Sequence, residues 1–362
     1  MLTTVHIENY KSVRRLDLEL GRVTVLIGEN GCGKSNILEA IAIASAAAHD
    51  KLDNEFLASR GVRVTEPRFM RSAFGGAVEP EIRVDLKWPE HAKVECRLQL
   101  DDSATYPKWI DLSRVRLSGN RPLELGPPPI DEGWAAALAQ RRSIADILIF
   151  SPENTALRTF RSEGQILPLG IRGEGLFAHL RALAKDPHTA RLAEIIEKLK
   201  LIDWFDSFEL PKDLAPDERV LRIRDRYLAE GALFDQRSAN EGFLFLLFYF
   251  TLLISPDTPK LLAIDNADAS LNPKLCGVLL KEIAALAREH DRQVILTTHN
   301  AAMLDGLDLN DPEQRLFVVD RSAKGETRVT RIEAPEPIEG DPPMKLSEAF
   351  LRGYIGGLPQ NF

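Results

Sequence analysis

The sequence predicts an α/β fold: a mixed sheet carrying a phosphate-binding loop, an antiparallel side sheet, and an inserted helical subdomain. Three observations carry that expectation. Val23 to Ile27 is an unbroken apolar run ended by Gly28, the pattern of a strand buried on both faces of a mostly parallel sheet. Gly28-Glu29-Asn30-Gly31-Cys32-Gly33-Lys34-Ser35 follows it and fits G-x-x-x-x-G-K-[ST]. Strand and helix alternate again from about residue 241, so a long insertion separates two halves of one core.

Apolar residues recur in near alternation over residues 2 to 8, and Leu16, Leu18 and Leu20 alternate with Asp17 and Glu19, so both stretches read as half-buried strands. A helix rich in Ala, Ile and Leu is expected from about Lys34 through Ile41 to Ala48. Residues 50 to 80 are irregular. Ile82, Val84 and Leu86, then Val94, Cys96, Leu98 and Leu100, alternate with mostly charged neighbours, which predicts an antiparallel hairpin with one wet face over residues 81 to 100.

The stretch Gly119 to Gly133 is rich in Pro and Gly and reads as a loop, and Ile144 to Phe150 as a short apolar segment before Ser151-Pro152. Residues 174 to 207 read as helical, with Leu176, Leu180, Leu183, Leu192, Ile195, Ile196 and Leu199 at helix spacing and Asp186-Pro187 dividing two helices. The state of Glu218 to Tyr227 stays open. Next come a helix over Glu241 to Ile254, a strand over Leu261 to Ile264, a helix over Pro273 to Glu289, a strand over Val294 to Thr297, a helix near Ala301 to Leu304 and a last strand over Leu316 to Val319. There is no repeat and no heptad run. The expected division is a first core half (1–100), a mainly helical insertion (101–235), a second core half (236–335) and a tail (336–362).

The glycines of the loop let successive backbone N–H groups turn inward around phosphate oxygens, and the following helix adds its positive end. Lys34 is placed to reach the β and γ phosphates, and the Ser35 hydroxyl to ligate magnesium. Asn30, Gly31, Cys32, Gly33 and Asn36 complete the expected ATP-binding stretch. Leu261-Leu262-Ala263-Ile264-Asp265 supplies a carboxylate at the end of a buried strand, either the second magnesium-side group or an ordinary turn Asp.

The chain resembles the SMC/RecF-like branch of the ABC ATPases, in particular the compact bacterial ATPases of the OLD and anti-phage defence families, of the Septu- or retron-associated type. The residues that carry this are Ile7-Glu8-Asn9-Tyr10-Lys11-Ser12-Val13, the loop continuing into Asn36-Ile37-Leu38-Glu39-Ala40, Leu271-Asn272-Pro273, Thr297-Thr298-His299-Asn300 and Leu351 to Pro359. The resemblance covers both ends and most of the core, and the middle, roughly 100 to 235, only loosely. It implies an ABC-type head whose ATP and Mg2+ are held between two subunits. His299 would be the switch residue at the γ phosphate, Asp268, Ala269 and Ser270 the D-loop crossing the dimer interface, and Asn240, Glu241 and Gly242 the signature loop acting on the other subunit. Asn240 stands where relatives have Ser. A His at a strand end, taken alone, is as compatible with a structural role.

Relatives carry Glu after the magnesium-side Asp, whereas this chain has Asn266. An amide positions water but accepts no proton, so slow hydrolysis and a long-lived ATP-bound dimer are expected. Asp268 offers a substitute carboxylate, though two residues along it points elsewhere if the turn continues. The toprim nuclease domain of OLD-type relatives does not fit the 63 residues after His299, so a separate nuclease or toxin effector is expected.

The formal net charge of -8 argues against a whole-surface nucleic-acid sleeve and leaves a local basic groove open. Arg219, Arg222, Arg224 and Arg226 either face DNA or form a solvated helix face, while Tyr106, Trp109, Trp134 and Trp204 are too scattered for a stacking platform. Two readings follow: a nucleotide-gated scaffold for an effector, dimeric or of higher order, and a DNA-sensing ATPase of RecF-like repair type. Cys32, Cys96 and Cys276 are isolated, no secretory signal opens the chain, and the apolar stretch Phe243 to Ile254 is shorter than a membrane span. These features predict a cytoplasmic protein with no membrane contact.

Overall fold

The computed structural model describes residues 1–74, 78–89, 93–101, 108–118, 121–124, 147–160, 166–185, 189–215, 218–229, 231–334 and 344–358. Tyr106, Trp134, Asp186, Pro187, Pro359 and most of the 119–133 stretch lie outside them.

Strands β1 (Thr4–Tyr10) and β2 (Val13–Glu19) form a hairpin, after which β3 (Val23–Ile27) is buried at every position. Helix α1 (Lys34–Ala48) follows the glycine loop, and two short helices, α2 (Asn54–Ser59) and α3 (Pro67–Met70), lead on towards β4 (Glu81–Lys87). β5 (Lys93–Asp101) pairs antiparallel with β4, setting Ile82 opposite Leu98 and Val84 opposite Cys96. With β6 (Lys108–Asp111) these strands make a five-stranded antiparallel sheet ordered β2-β1-β4-β5-β6. Helix α1 packs against β1 and β4 on one side and β14 (Gln293–Thr298) on the other, which is why it is apolar around most of its circumference.

The insertion is mixed rather than mainly helical. β7 (Val115–Ser118) pairs with β8 (Arg121–Glu124), so part of the stretch expected to be loop is a hairpin. After β9 (Ile149–Phe150) come α4 (Asn154–Thr159), α5 (Leu176–Leu183) and α6 (Thr189–Leu199). The expected helical stretch to residue 207 stops at Leu199, and β10 (Phe205–Glu209) begins in its place. Phe205 and Phe208 stand three apart, a helical spacing, yet a register shift between Phe205 and Ser207 turns both to the core. β11 (Arg222–Asp225), inside the block of open state, and β12 (Leu233–Asp235) complete a three-stranded antiparallel sheet with β10.

The second core half comprises α7 (Glu241–Ile254), β13 (Leu261–Ile264), α8 (Pro273–Glu289), β14, a 3-10 turn over Ala301–Gly306, and β15 (Gln314–Arg321). β15 is not the last strand: β16 (Thr327–Ile332) pairs antiparallel with it at the sheet edge. Only Thr327 of β16 is buried, so no apolar alternation marks it in the sequence. Helix α9 (Leu346–Leu351) closes the order and packs on the 3-10 turn.

The central sheet runs β16-β15-β3-β14-β13-β9, parallel except for β16. β14 lies between β3 and β13, with Thr298 beside Ile27 and Leu296 beside Ile264. The carboxyl ends of three neighbouring strands thus come level, the place where open α/β sheets bind ligands. Helix α7 is buried from Phe243 to Ile254, and among the described residues no helix is long and apolar enough to cross a membrane.

Candidate nucleotide site

Gly28, Asp265 and His299 follow directly on β3, β13 and β14, so sheet register alone brings them to one edge. Gly31 and Gly33 take φ of 82° and 112°, which turns the loop over the start of α1. A Cβ on Gly33 would meet Thr327 Oγ1 at 2.1 Å, so the loop lies against β16 with no room for a side chain. Lys34 folds back over the loop, donating to the carbonyls of Gly28 (2.8 Å) and Glu29 (2.9 Å). Burial pushes the Cys32 thiol up, which keeps it protonated inside the loop.

Ser35 Oγ donates to Asp265 Oδ2 at 2.8 Å, joining the start of α1 to the end of β13 across β14. Thr297 on the intervening strand donates to Asp265 Oδ1 at 2.5 Å and accepts the Asn266 N–H at 2.9 Å. A hydroxyl and a carboxylate in contact are the hard oxygen donors that Mg2+ takes, so this pair fits the expected ion. Asn266 itself is exposed at φ 54°, a left-handed conformation that Asn tolerates better than most residues.

Asp268 turns away from Asp265. Its Oδ1 accepts the Thr298 hydroxyl at 2.7 Å, and its Oδ2 lies 3.2 Å from His299 Nδ1. Asp268 is 5% exposed, whereas the His299 side chain is 52% exposed. His299 is thus half-exposed beside a buried carboxylate.

Asn240 caps α7, its Oδ1 accepting the Phe243 N–H at 2.8 Å. Asn240, Glu241 and Gly242 border a cleft of about 580 Å³ with Ser270, Asn272 and Trp204. Ala269 and Ser270 form the turn beside it, Ser270 at φ 61°. No residue of the glycine loop lines that cleft. Structure thus unites Lys34, Ser35 and Asp265, and keeps the segment expected as signature loop apart from them.

Two residues that support the loop, Arg321 and Thr327, gave no signal in the sequence. Arg321 donates through Nε and Nη2 to the Gly31 carbonyl, and Thr327 donates to the Cys32 carbonyl. Ser12 contacts Thr327 and accepts from Asn36, while Glu39, 1% exposed on α1, accepts from Tyr10, Lys11 and Arg63. These contacts give the opening Tyr10-Lys11-Ser12 a structural meaning, because it buttresses the loop and its helix. Of the four arginines, Arg226 donates to the Phe205 carbonyl, and Arg222 and Arg224 lie on strand β11 rather than on a helix face.

A family model described as "AAA domain, putative AbiEii toxin, Type IV TA system" matches residues 23–305. A 48-residue stretch is 44% identical to MJECL10, an uncharacterised protein of Methanocaldococcus jannaschii, covering 13% of this chain and 22% of that protein. The chain therefore spans under a quarter of the curated relative's length. Among solved structures, the SMC head domain of Thermotoga maritima superposes with a TM-score of 0.50 at 15% identity, over 92% of this chain and 99% of that one. An Smc head bound to the C-terminal winged-helix domain of ScpA gives 0.58 at 15% identity, over 92% and 97%. An Smc head with an extended coiled coil bound to the C-terminal domain of ScpA, from Pyrococcus furiosus, gives 0.56 at 12% identity, over 92% and 96%. The fold is that of the SMC-type ABC ATPase head.

Proposed function

The chain belongs to the AAA-domain family of that description, and from this premise we propose that it is an ATP-gated scaffold that controls a separate effector in a bacterial defence system. It binds ATP with Mg2+, closes into a homodimer around the nucleotide, hydrolyses it slowly, and holds or releases a nuclease or toxin according to that state. Lys34 and the amides of Asn30 to Asn36 bind the triphosphate, and Ser35 and Asp265 hold the ion. His299 senses the γ phosphate. Asn240, Glu241 and Gly242, with Ala269 and Ser270 beside them, complete the site of the other subunit.

One observation carries this reading. The phosphate-side residues converge on one sheet edge, while Asn240 to Gly242 and Ser270 border a cleft that no glycine-loop residue lines, which supports reading the chain as carrying two complementary half-sites. The family description, with its toxin and toxin–antitoxin terms, supports a role in defence. Coupling would come from the different affinities of open and closed dimers for the effector.

Mass measurement of the purified protein, alone and with its native neighbours, tests the proposal. ATP is expected to shift monomer to dimer, Lys34→Ala to abolish the shift, and the effector to bind in one nucleotide state only. A monomer at every ATP concentration, or identical behaviour of Lys34→Ala, overturns it. Turnover stimulated by DNA with no co-purifying effector would favour the DNA-sensing reading instead.

A further inference from the structure

Asn266 leaves the expected reaction without its usual proton acceptor, and the nearest alternative carboxylate is Asp268. Its surroundings restrict what it can do. Thr298 Oγ1 accepts the Asn300 N–H at 3.0 Å, so its single hydrogen is directed to Asp268 Oδ1 at 2.7 Å. The other oxygen faces His299 Nδ1, which is the only ion-pair contact of Asp268 among the described residues. The remaining neighbours that feel its charge are neutral: burial, with a smaller contribution from Asp268, pushes the Cys276 thiol up to about 11 and the buried Tyr249 hydroxyl far above its ordinary range. Among the described residues no Lys or Arg pairs with Asp268.

A carboxylate offers only lone pairs. The imidazole tautomer with its proton on Nδ1 is therefore attracted to Asp268, and the opposite tautomer sets lone pair against lone pair. With Nδ1 protonated, Nε2 keeps its lone pair, on a side chain that is half-exposed.

We propose that Asp268 is a positioning residue that fixes His299 in the Nδ1–H tautomer, making Nε2 the proton acceptor that Asn266 cannot be. This rests on the nucleotide-site reading above. In the step, a water oxygen bonds to the γ phosphorus as the bond from that phosphorus to the β–γ bridging oxygen breaks. The bond's electron pair leaves on ADP, the water proton passes to Nε2, and Asp268 stabilises the resulting imidazolium until the proton returns to solvent. Asp268 touches neither water nor phosphate.

The test joins a spectroscopic and a kinetic measurement on the full chain. Nitrogen-15 NMR of the imidazoles, with His299 assigned by its loss in His299→Gln, is expected to show the Nδ1–H form in the wild type without nucleotide. Asp268→Ala is expected to lose that preference, and Asp268→Asn, whose amide oxygen still accepts, to retain part of it. In ATP turnover, Asp268→Ala and His299→Ala are each expected to lower kcat with KM little changed, and the double variant to be no slower than His299→Ala alone. In an Asn266→Glu background the penalty of Asp268→Ala is expected to shrink. An Nε2–H tautomer in the wild type, or single-variant losses that multiply in the double variant, overturns the proposal while leaving ATP binding intact. Failure of the wild type to bind ATP would instead overturn the nucleotide-site reading itself.

Discussion

Asn266 is the residue on which the expected slowness turns. Its backbone N–H is held by Thr297 Oγ1 at a φ of 54°, and its exposed side chain follows directly on Asp265 in the chain. Restoring a carboxylate there, Asn266→Glu, is expected to raise ATP turnover by about 10²-fold, the lower range for adding a general base. A left-handed backbone is less comfortable for Glu than for Asn, so a small loss of stability should accompany the gain. Steady-state phosphate release checks the first point and a thermal melt the second; unchanged turnover would mean that chemistry is not the slow step. At this scale the sequence was legible where function sits in a contiguous motif, as for Lys34 and Ser35. It was illegible where support comes from afar: Arg321 and Thr327 reach the loop from nearly three hundred residues away, and only folding brings them there.

The elements that position the site depend on connections that hydropathy does not display. Between α7 and β13 the chain turns with Pro256 and Asp257 exposed, and beneath the turn Arg292, 4% exposed, donates to the carbonyls of Leu253, Ser255, Thr258 and Pro259. One guanidinium thus serves four carbonyls, of which that of Ser255 also accepts from Thr258 Oγ1. Arg292→Leu is expected to destabilise the fold by about 3 kcal/mol, because each stranded group costs roughly 1–3 kcal/mol and some will find water. The midpoint of urea unfolding measures this, and a change under about 0.5 kcal/mol would show that the turn relaxes freely. Helices and strands marked by unbroken apolar runs, such as α1, α7 and β13, or by helical spacing, such as α8, were readable to within a residue. The strands missed were those whose pattern was broken by a register shift, as at Phe205 and Phe208, or was mostly solvent-facing, as in β16.

For the whole molecule the decisive question is whether the two half-sites belong to one chain or to two. Among its lining residues, the cleft at Asn240 to Gly242 has none from the glycine loop, an arrangement set by how the elements pack and not by any local pattern. A Cβ on Gly242 would meet Asn240 Oδ1, Leu271 Cδ2 and the Ser270 carbonyl each at 3.6 Å, ordinary contact distances, so substitution there leaves the fold intact. Gly242→Asp places a negative charge where the partner's γ phosphate would dock, and Lys34→Ala removes the ammonium on the opposite half. Each variant alone is expected to be inactive in ATP turnover. A mixed dimer contains one site assembled from the sound loop of the Gly242→Asp chain and the sound signature of the Lys34→Ala chain. Each mixed dimer has one of two sites working, so mixing is expected to restore turnover that neither variant shows alone, in an amount set by how readily the mixed dimer forms. A mixture as inactive as its components would show that sites are not shared in this way, and the dimer would lose its place in the mechanism.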